Sequence, residues 1–216
     1  MRKLFEKHKK LWSQKSFFLN VFLGMILFFI SLFTTYYANI FTLAHASNTA
    51  TDLLLDNLPV INVDFIFSEG ALIFIAIVGL ILFYEPRLIP FLIKSVALFI
   101  LVRALFMILT HLAAPAEQSY RDTTELINRM SSGDDLFFSA HTGMPFLLAL
   151  MFWEKKYFRY FFLFSTLVGA SAVILGHLHY SIDVFSAFFI SYGIFHIAKK
   201  IFYKDYKRFL AIETEI

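Results

Sequence analysis

The chain has 216 residues, of which 59% are hydrophobic and only 16% are charged. These values exclude an ordinary soluble domain, in which charged residues make up about a quarter of the chain. The formal net charge of +3 indicates membrane topology and not nucleic-acid binding, because the basic residues cluster in particular connections. With no cysteine, disulfides and thiolate metal sites are excluded.

Six apolar runs are candidate membrane spans, since a hydrocarbon core of about 30 Å needs roughly 20 residues of helix. The fold class expected is an all-α integral membrane protein with six transmembrane helices. In chain order the spans cover residues 19–37, 65–84, 91–112, 136–153, 160–175 and 181–198. The organisation predicted is a basic N-terminal segment at 1–16, a six-helix membrane domain at 17–200 and a C-terminal tail at 201–216.

Basic residues are concentrated before the first span, in the second and fourth connections, and after the sixth span. The connections that would lie on the opposite side carry only Arg121 and Arg129. The positive-inside rule therefore predicts that both termini are cytoplasmic. The fourth and sixth spans would then begin at the outer face, and the fifth would end there.

Two predicted spans carry ionisable residues near one end. "FFSAHTG" at 137–143 contains His141, and "HLHYSIDVFSAFF" at 177–189 contains His179 and Asp183. The predicted orientation places both clusters at the outer face. Residues four apart share a helix face, so the histidine and the carboxylate of the second cluster can touch. The carboxylate would hold one ring nitrogen and leave the other as a base or nucleophile. A histidine near the end of a span can also serve only as a headgroup anchor.

A second charged pair is expected in the outer half of the membrane, with Arg103 in the third span and Glu69 near the start of the second. Two interpretations stay open. The pair is a structural salt bridge, or Arg103 presents its planar guanidinium to a phosphate while Glu69 orients it. Lys94, about one turn into the third span, is expected to extend back to the cytoplasmic surface and to have a structural role.

The stretch "SGDDLFFSAHTG" followed by "GHLHYSIDV" resembles the paired histidine motifs of sphingomyelin synthases and related proteins, within the type 2 phosphatidic acid phosphatase superfamily. "TDLLLDNLPVINVDFIFSEG" and "LVRALFMILTHLAAP" are similar to further segments of that family, so the resemblance covers most of the chain after about Thr51. It implies that His179 is the nucleophile on phosphorus, that Asp183 orients it, and that His141 protonates the departing lipid alkoxide. No metal and no cofactor are implied.

Three departures from the superfamily pattern bear on whether the chain resembles the phosphatase branch or the synthase-like branch. Ala140 stands where a glycine commonly precedes the histidine of the fourth span. Ala172 and Val173 occupy the positions of a Ser-Arg pair in the phosphatase branch. Lys94 and Arg103 lie nine residues apart, where that branch has a lysine and an arginine seven apart followed by proline. The last two departures favour the synthase-like branch.

The resemblance therefore implies a membrane enzyme that moves a phosphorylated headgroup, of phosphocholine or phosphoethanolamine type, through a phosphohistidine. The donor would be a glycerophospholipid and the acceptor a lipid alcohol such as ceramide or diacylglycerol. Arg103 would bind the phosphate with Glu69 in support. A lipid phosphatase or phospholipase C-like hydrolase is the alternative, and a non-enzymatic lipid-binding or transport protein is a second. The expected location is a bacterial inner or plasma membrane, with the site on the periplasmic or extracellular side. The expected partners are lipids of the bilayer, and no binding of nucleic acid is expected.

Overall fold

The computed structural model describes residues 2–110, 112–115, 118–119 and 137–210. The regular structure within these ranges is helical, without a strand. In chain order the helices are α1 (Arg2–Trp12), α2 (Lys15–Ala44), α3 (Asp64–Phe67), α4 (Glu69–Tyr84), α5 (Ile89–Leu109), α6 (Ala140–Met151), α7 (Lys156–Leu175), α8 (Ser181–Ile201) and α9 (Tyr203–Leu210). Short 3-10 helices lie at Leu55–Asn57 and Pro86–Leu88.

Five helical stretches in the described part of the chain are long and apolar enough to cross a membrane: Lys15–Ala44, Asp64–Tyr84, Pro86–Leu109, Lys156–Leu175 and Ser181–Ile201. They agree with five of the six predicted spans, although α2 extends several residues beyond both ends of the predicted 19–37. The all-helical membrane class follows from these stretches, whereas six spans and cytoplasmic termini stay predictions.

The predicted fourth span, 136–153, is different. Its first residue lies outside the described residues, and the helix itself, α6, has only 12 residues, which rise about 18 Å. Phe137 and Phe138 precede it with φ of 118° and 24°, in a region that L-residues other than glycine rarely adopt. The chain therefore cannot be helical there, and α6 begins only at Ala140. His141 lies in the first turn of the helix, not a turn and a half into a span.

The core is built largely from phenylalanine. α5 packs along α2 and contacts α8, while α6 packs against both α7 and α8. The fully buried rings at the centre are Phe91, Phe99, Phe138, Phe152 and Phe162. Apolar side chains on the outer faces of α2, α4, α7 and α8 are exposed, as expected for surfaces that contact lipid.

A buried ion pair closes the end of the bundle where α1 and α9 lie. Lys94 Nζ donates to Asp205 Oδ2 at 2.6 Å and to Asn20 Oδ1 at 2.9 Å, and Lys94 and Asp205 are both buried. The expectation that Lys94 reaches the aqueous surface is therefore wrong, because α9 covers it and supplies a carboxylate. The pair joins α9 to α5, which gives Lys94 a structural role.

Candidate active site

A turn between α7 and α8 brings His179 to the start of α8. α7 ends in a Schellman-type turn, in which the N–H of Leu178 donates to the carbonyl of Val173 at 2.8 Å. His177 takes the left-handed position of this turn, with φ of 52°, where glycine is usual. Its ring Nε2 lies 3.2 Å from the carbonyl oxygen of Leu58. These contacts make His177 part of the turn that presents His179.

His179 and Asp183 form a buried pair. Nδ1 of His179 lies 3.4 Å from Oδ2 of Asp183, and the two residues are 4% and 1% exposed. A carboxylate only accepts hydrogen bonds, so Nδ1 carries the proton and Nε2 keeps its lone pair. The distance exceeds that of an ordinary hydrogen bond, and such contacts in catalytic sites commonly shorten when substrate binds.

The same carboxylate also caps α8. Oδ2 of Asp183 accepts a hydrogen bond from the backbone N–H of Tyr180 at 3.1 Å, which satisfies one of the donors left unpaired at a helix start. Asp183 is the third residue of α8 and His179 precedes the helix. The Asp183 carboxylate therefore points back past the start of α8 toward His179. It caps the helix and also orients the imidazole ring.

Asp52, in the connection between α2 and α3, holds this helix start from the other side. Its Oδ2 accepts hydrogen bonds from the backbone N–H of Ser181 at 2.7 Å and from its hydroxyl at 2.8 Å. Its Oδ1 accepts from the N–H groups of Leu54 at 2.9 Å and Leu55 at 3.2 Å. Burial raises the pKa of Asp52, but the bonds from Ser181, Leu55 and Leu54 outweigh it, and the net pKa lies below its usual range. The carboxylate is thus held in its ionised form.

Sequence reasoning did not assign Asp52. Its local signal is an aspartate that opens a turn before an apolar run, "TDLLLD", a position where the side chain commonly bonds N–H groups two or three residues on. The bond to Ser181, 129 residues away, has no such local signal.

Arg103 is joined to the same region. It is 7% exposed, and its Nε donates to the carbonyl of Phe138 at 3.2 Å. The next residue, Ser139, donates its backbone N–H to the carbonyl of Asp183 at 3.0 Å. These two bonds connect Arg103 in α5, the two residues before α6 and the backbone of Asp183 in α8. His141 lies two residues after Ser139, in the first turn of α6.

Glu69 is not brought to Arg103. It is the first residue of α4 and is exposed, and within the described part of the chain it has no hydrogen bond or ion pair with Arg103. Support of Arg103 by Glu69 stays a prediction without a contact behind it.

His141 is half-buried in the first turn of α6. Its ring stacks on Phe67 of α3, with the centroids 4.0 Å apart and an interplanar angle of 27°. Its carbonyl oxygen faces Gly169 of α7, where an added Cβ would lie only 2.2 Å from that oxygen. The absence of a side chain at Gly169 therefore lets α7 approach the N-terminal end of α6.

An apolar cavity of about 650 Å³ begins at His141 and runs between α2, α4, α5, α6 and α7. Among the described residues that line it, His141 is the only ionisable one; the others include Phe28, Phe74 and Phe164. The cavity places hydrocarbon-like surface next to an ionisable side chain. This arrangement suits a substrate with an acyl chain and a polar head.

Residues 133–200 match the family model described as PAP2 superfamily C-terminal. The match spans α6, α7 and nearly all of α8, and it includes His141, His179 and Asp183. It supports membership in the type 2 phosphatidic acid phosphatase superfamily, and with it phosphatase-type or phosphotransferase-type chemistry on lipids. Together with the five apolar helices, the PAP2 match indicates an integral membrane protein.

Searches of curated proteins and of solved structures gave no significant match. The narrower similarity to sphingomyelin synthases stays a prediction. In the described ranges no three of His, Asp and Glu lie together so as to hold a metal ion, and metal-free chemistry also stays a prediction.

Proposed function

We propose that this protein is a membrane phosphotransferase that moves a phosphorylated headgroup from a glycerophospholipid to a lipid alcohol through a phosphohistidine at His179. The observation that carries the proposal is the buried pair of His179 and Asp183, within the segment that matches the PAP2 superfamily, with His141 in the same segment at the end of an apolar cavity.

In the first half-reaction, Nε2 of His179 bonds to phosphorus as the bond between phosphorus and the diacylglycerol oxygen breaks. Protonated His141 gives its proton to that oxygen, because a lipid alkoxide is a poor leaving group. Asp183 stabilises the positive charge that the imidazole ring acquires. Arg103 is the proposed phosphate-binding residue, since it is anchored beside the start of α6 and carries the planar guanidinium suited to phosphate.

In the second half-reaction the acceptor hydroxyl gives its proton to the now neutral His141. The acceptor oxygen bonds to phosphorus as the bond to Nε2 breaks, which restores both histidines. Ceramide and diacylglycerol both present a primary hydroxyl and an apolar body. The cavity beside His141 favours such an acceptor over a soluble alcohol, because its lining is almost wholly apolar.

Hydrolysis is the second candidate, and the PAP2 match favours it. Water would take the place of the acceptor and release the headgroup phosphate. The outcome depends on whether water or lipid alcohol reaches the phosphohistidine first. An apolar cavity next to His141 supports the lipid alcohol.

The test is product analysis with purified protein in liposomes that contain headgroup-labelled phosphatidylcholine or phosphatidylethanolamine plus ceramide or diacylglycerol. Transfer predicts that the label moves to the acceptor lipid, and water-soluble label would show hydrolysis instead. His179→Ala should abolish either product. His196→Ala is the matched control, because His196 is an exposed histidine near the far end of α8. Bound lipid with no turnover in any of these mixtures would contradict the enzymatic proposal.

A further inference from the structure

The end of the bundle opposite His179 contains a basic cavity of about 530 Å³. Three separate parts of the chain line it: α1, the 3-10 turn before α5, and α9. The residues are Lys3, Glu6, Lys7, Lys10, Leu11, Gln14, Arg87 and Arg208. Five basic side chains and one acidic one therefore surround a single space.

This basic cavity is built on a fixed scaffold. Lys7 forms an ion pair with Glu85 and donates to the carbonyl of Tyr84 at 3.2 Å. The ring Nε2 of His8 lies 2.7 Å from the carbonyl oxygen of Phe83. These bonds attach α1 to the end of α4, while the bond between Lys94 and Asp205 attaches α9 to α5. The basic residues therefore converge because of tertiary contacts.

Part of the positive charge in the cavity is paired, since Lys7 binds Glu85, but two of the lysine side chains have no acidic partner in the described part of the chain. Glu6 pairs with Arg2 at 3.3 Å. Within the described part of the chain, the side chains of Lys3 and Lys10 make no hydrogen bond or ion pair. Arg208 approaches Asp205 only to 3.7 Å, and that carboxylate already pairs with Lys94. Several cations facing one concave space concentrate an anion there.

The direction of α1 places this cavity at the membrane surface. Only two residues separate α1 from the 30-residue apolar helix α2. Phe5 and Trp12 are seven residues apart and therefore on one face of α1, and they are 70% and 40% exposed. The lysines that line the cavity occupy the opposite face. A helix of this kind lies in the interface with its aromatic side chains toward lipid.

We propose that the basic cavity binds the phosphate-bearing headgroup of an anionic phospholipid, at the opposite end of the bundle from His179. Lysine and arginine near a membrane surface attract anionic lipids, and the guanidinium of Arg208 adds planar hydrogen-bond donors for a phosphate. A soluble phosphate shares this chemistry. The lipid is favoured because α1, which lines the cavity, directly precedes the apolar helix α2 and exposes aromatic side chains on its other face. The site is independent of the activity proposed above.

The test is native mass spectrometry of the purified full chain with phosphatidylglycerol or phosphatidylcholine, at rising salt. Wild type should retain one phosphatidylglycerol per chain at salt concentrations that screen exposed lysines. Lys3→Gln with Lys10→Gln, two exposed residues without partners, should weaken that retention about tenfold, and adding Arg208→Gln should weaken it further. The matched control neutralises Lys156, Lys200 and Lys204, which are exposed at the same end but do not line the cavity.

Equal losses in the pocket and control variants, or no preference for phosphatidylglycerol over phosphatidylcholine, would overturn the proposal. Inorganic phosphate and glycerol phosphate serve as soluble competitors. If either one displaces the lipid at a comparable concentration, the cavity takes soluble phosphate and the lipid proposal is wrong. Thermal unfolding of each variant shows whether it remains folded, and the double lysine variant suffices for the test if the triple variant does not fold.

Discussion

Replacement of Asp52 by alanine tests whether the connection between α2 and α3 positions His179 and Asp183, the proposed catalytic pair. The change removes the acceptor of two bonds from Ser181 and of two from the turn at Leu54 and Leu55. The N–H groups of Leu54 and Leu55 can form hydrogen bonds to water instead. The N–H of Ser181, at the start of α8, loses its capping acceptor. A helix cap contributes about 1 kcal/mol, and a hydrogen bond to a charged group about 1.5–3 kcal/mol. We expect Asp52→Ala to lower the free energy of unfolding by about 2–4 kcal/mol.

Turnover should fall as well. The start of α8 carries His179 and Asp183, and a displacement of about 1 Å in a catalytic group can reduce the rate about 100-fold. We therefore expect kcat per folded molecule to fall about 10- to 100-fold, with KM nearly unchanged because the apolar cavity stays intact. Asp52→Asn keeps an oxygen at the site and should retain more activity than Asp52→Ala.

The pH dependence gives a further signature. The folded-state pKa of Asp52 is lowered by its hydrogen bonds, so its stabilisation is complete above the unfolded pKa and is lost as pH falls through the folded pKa. The stability difference between wild type and Asp52→Asn should thus be constant near neutral pH and shrink only in acid.

The assays are thermal unfolding in nanodiscs and headgroup transfer per folded molecule. Asp56→Asn is the matched control, since that carboxylate accepts a bond from the N–H of Asp52 at 3.1 Å and does not touch α8. Unchanged kcat per folded molecule in a destabilised Asp52→Ala would refute the positioning role and leave only a structural one.

Three further predictions concern the phosphate, the helix contact and the topology. Arg103→Lys should reduce turnover at least about tenfold while the protein still folds, because lysine keeps the charge but loses the bidentate geometry; turnover equal to wild type would rule out the phosphate-binding role. Gly169→Ala should destabilise the protein by about 1–3 kcal/mol, since its Cβ meets the carbonyl of the α6 histidine, whereas Gly79→Ala, with nothing within 4 Å, should be neutral or stabilising in a melting assay. In this cysteine-free chain, Thr49→Cys should react with an impermeant thiol reagent on whole cells and Glu154→Cys only after lysis; the reverse pattern would invert the predicted orientation.

Much of the fold could be predicted from hydropathy, because long apolar helices are required of any chain that crosses a bilayer. The fourth span could not. The sequence predicts that Phe137 and Phe138 belong to an apolar helix. In the structure their φ values are positive, so α6 begins only at Ala140. Nothing in two successive phenylalanines signals that conformation; it is set by the packing of Phe138 against Phe99 and by the bond from Arg103 to its carbonyl.

The candidate site was partly predictable for a similar reason. His179 and Asp183 are close in the chain, so a spacing of four is enough to place them together, although their contact comes from the helix start and not from one helical face. The sequence predicts similar depths for Arg103 and Glu69, but depth alone does not fix which neighbours a side chain contacts. Asp52 and Ser181 are far apart in the chain, and only the folded structure brings them together.

The central claim is that His179 becomes covalently phosphorylated. The most direct measurement is to quench a single turnover of a donor labelled in its phosphate and to map the labelled residue by mass spectrometry. The account predicts a label on His179 that is labile to acid and stable to base. The label should appear in wild type, and also in His141→Ala when the donor is an activated nitrophenyl phosphodiester. It should be absent from His179→Ala. Label on His141, or full transfer activity in His179→Ala, would contradict it.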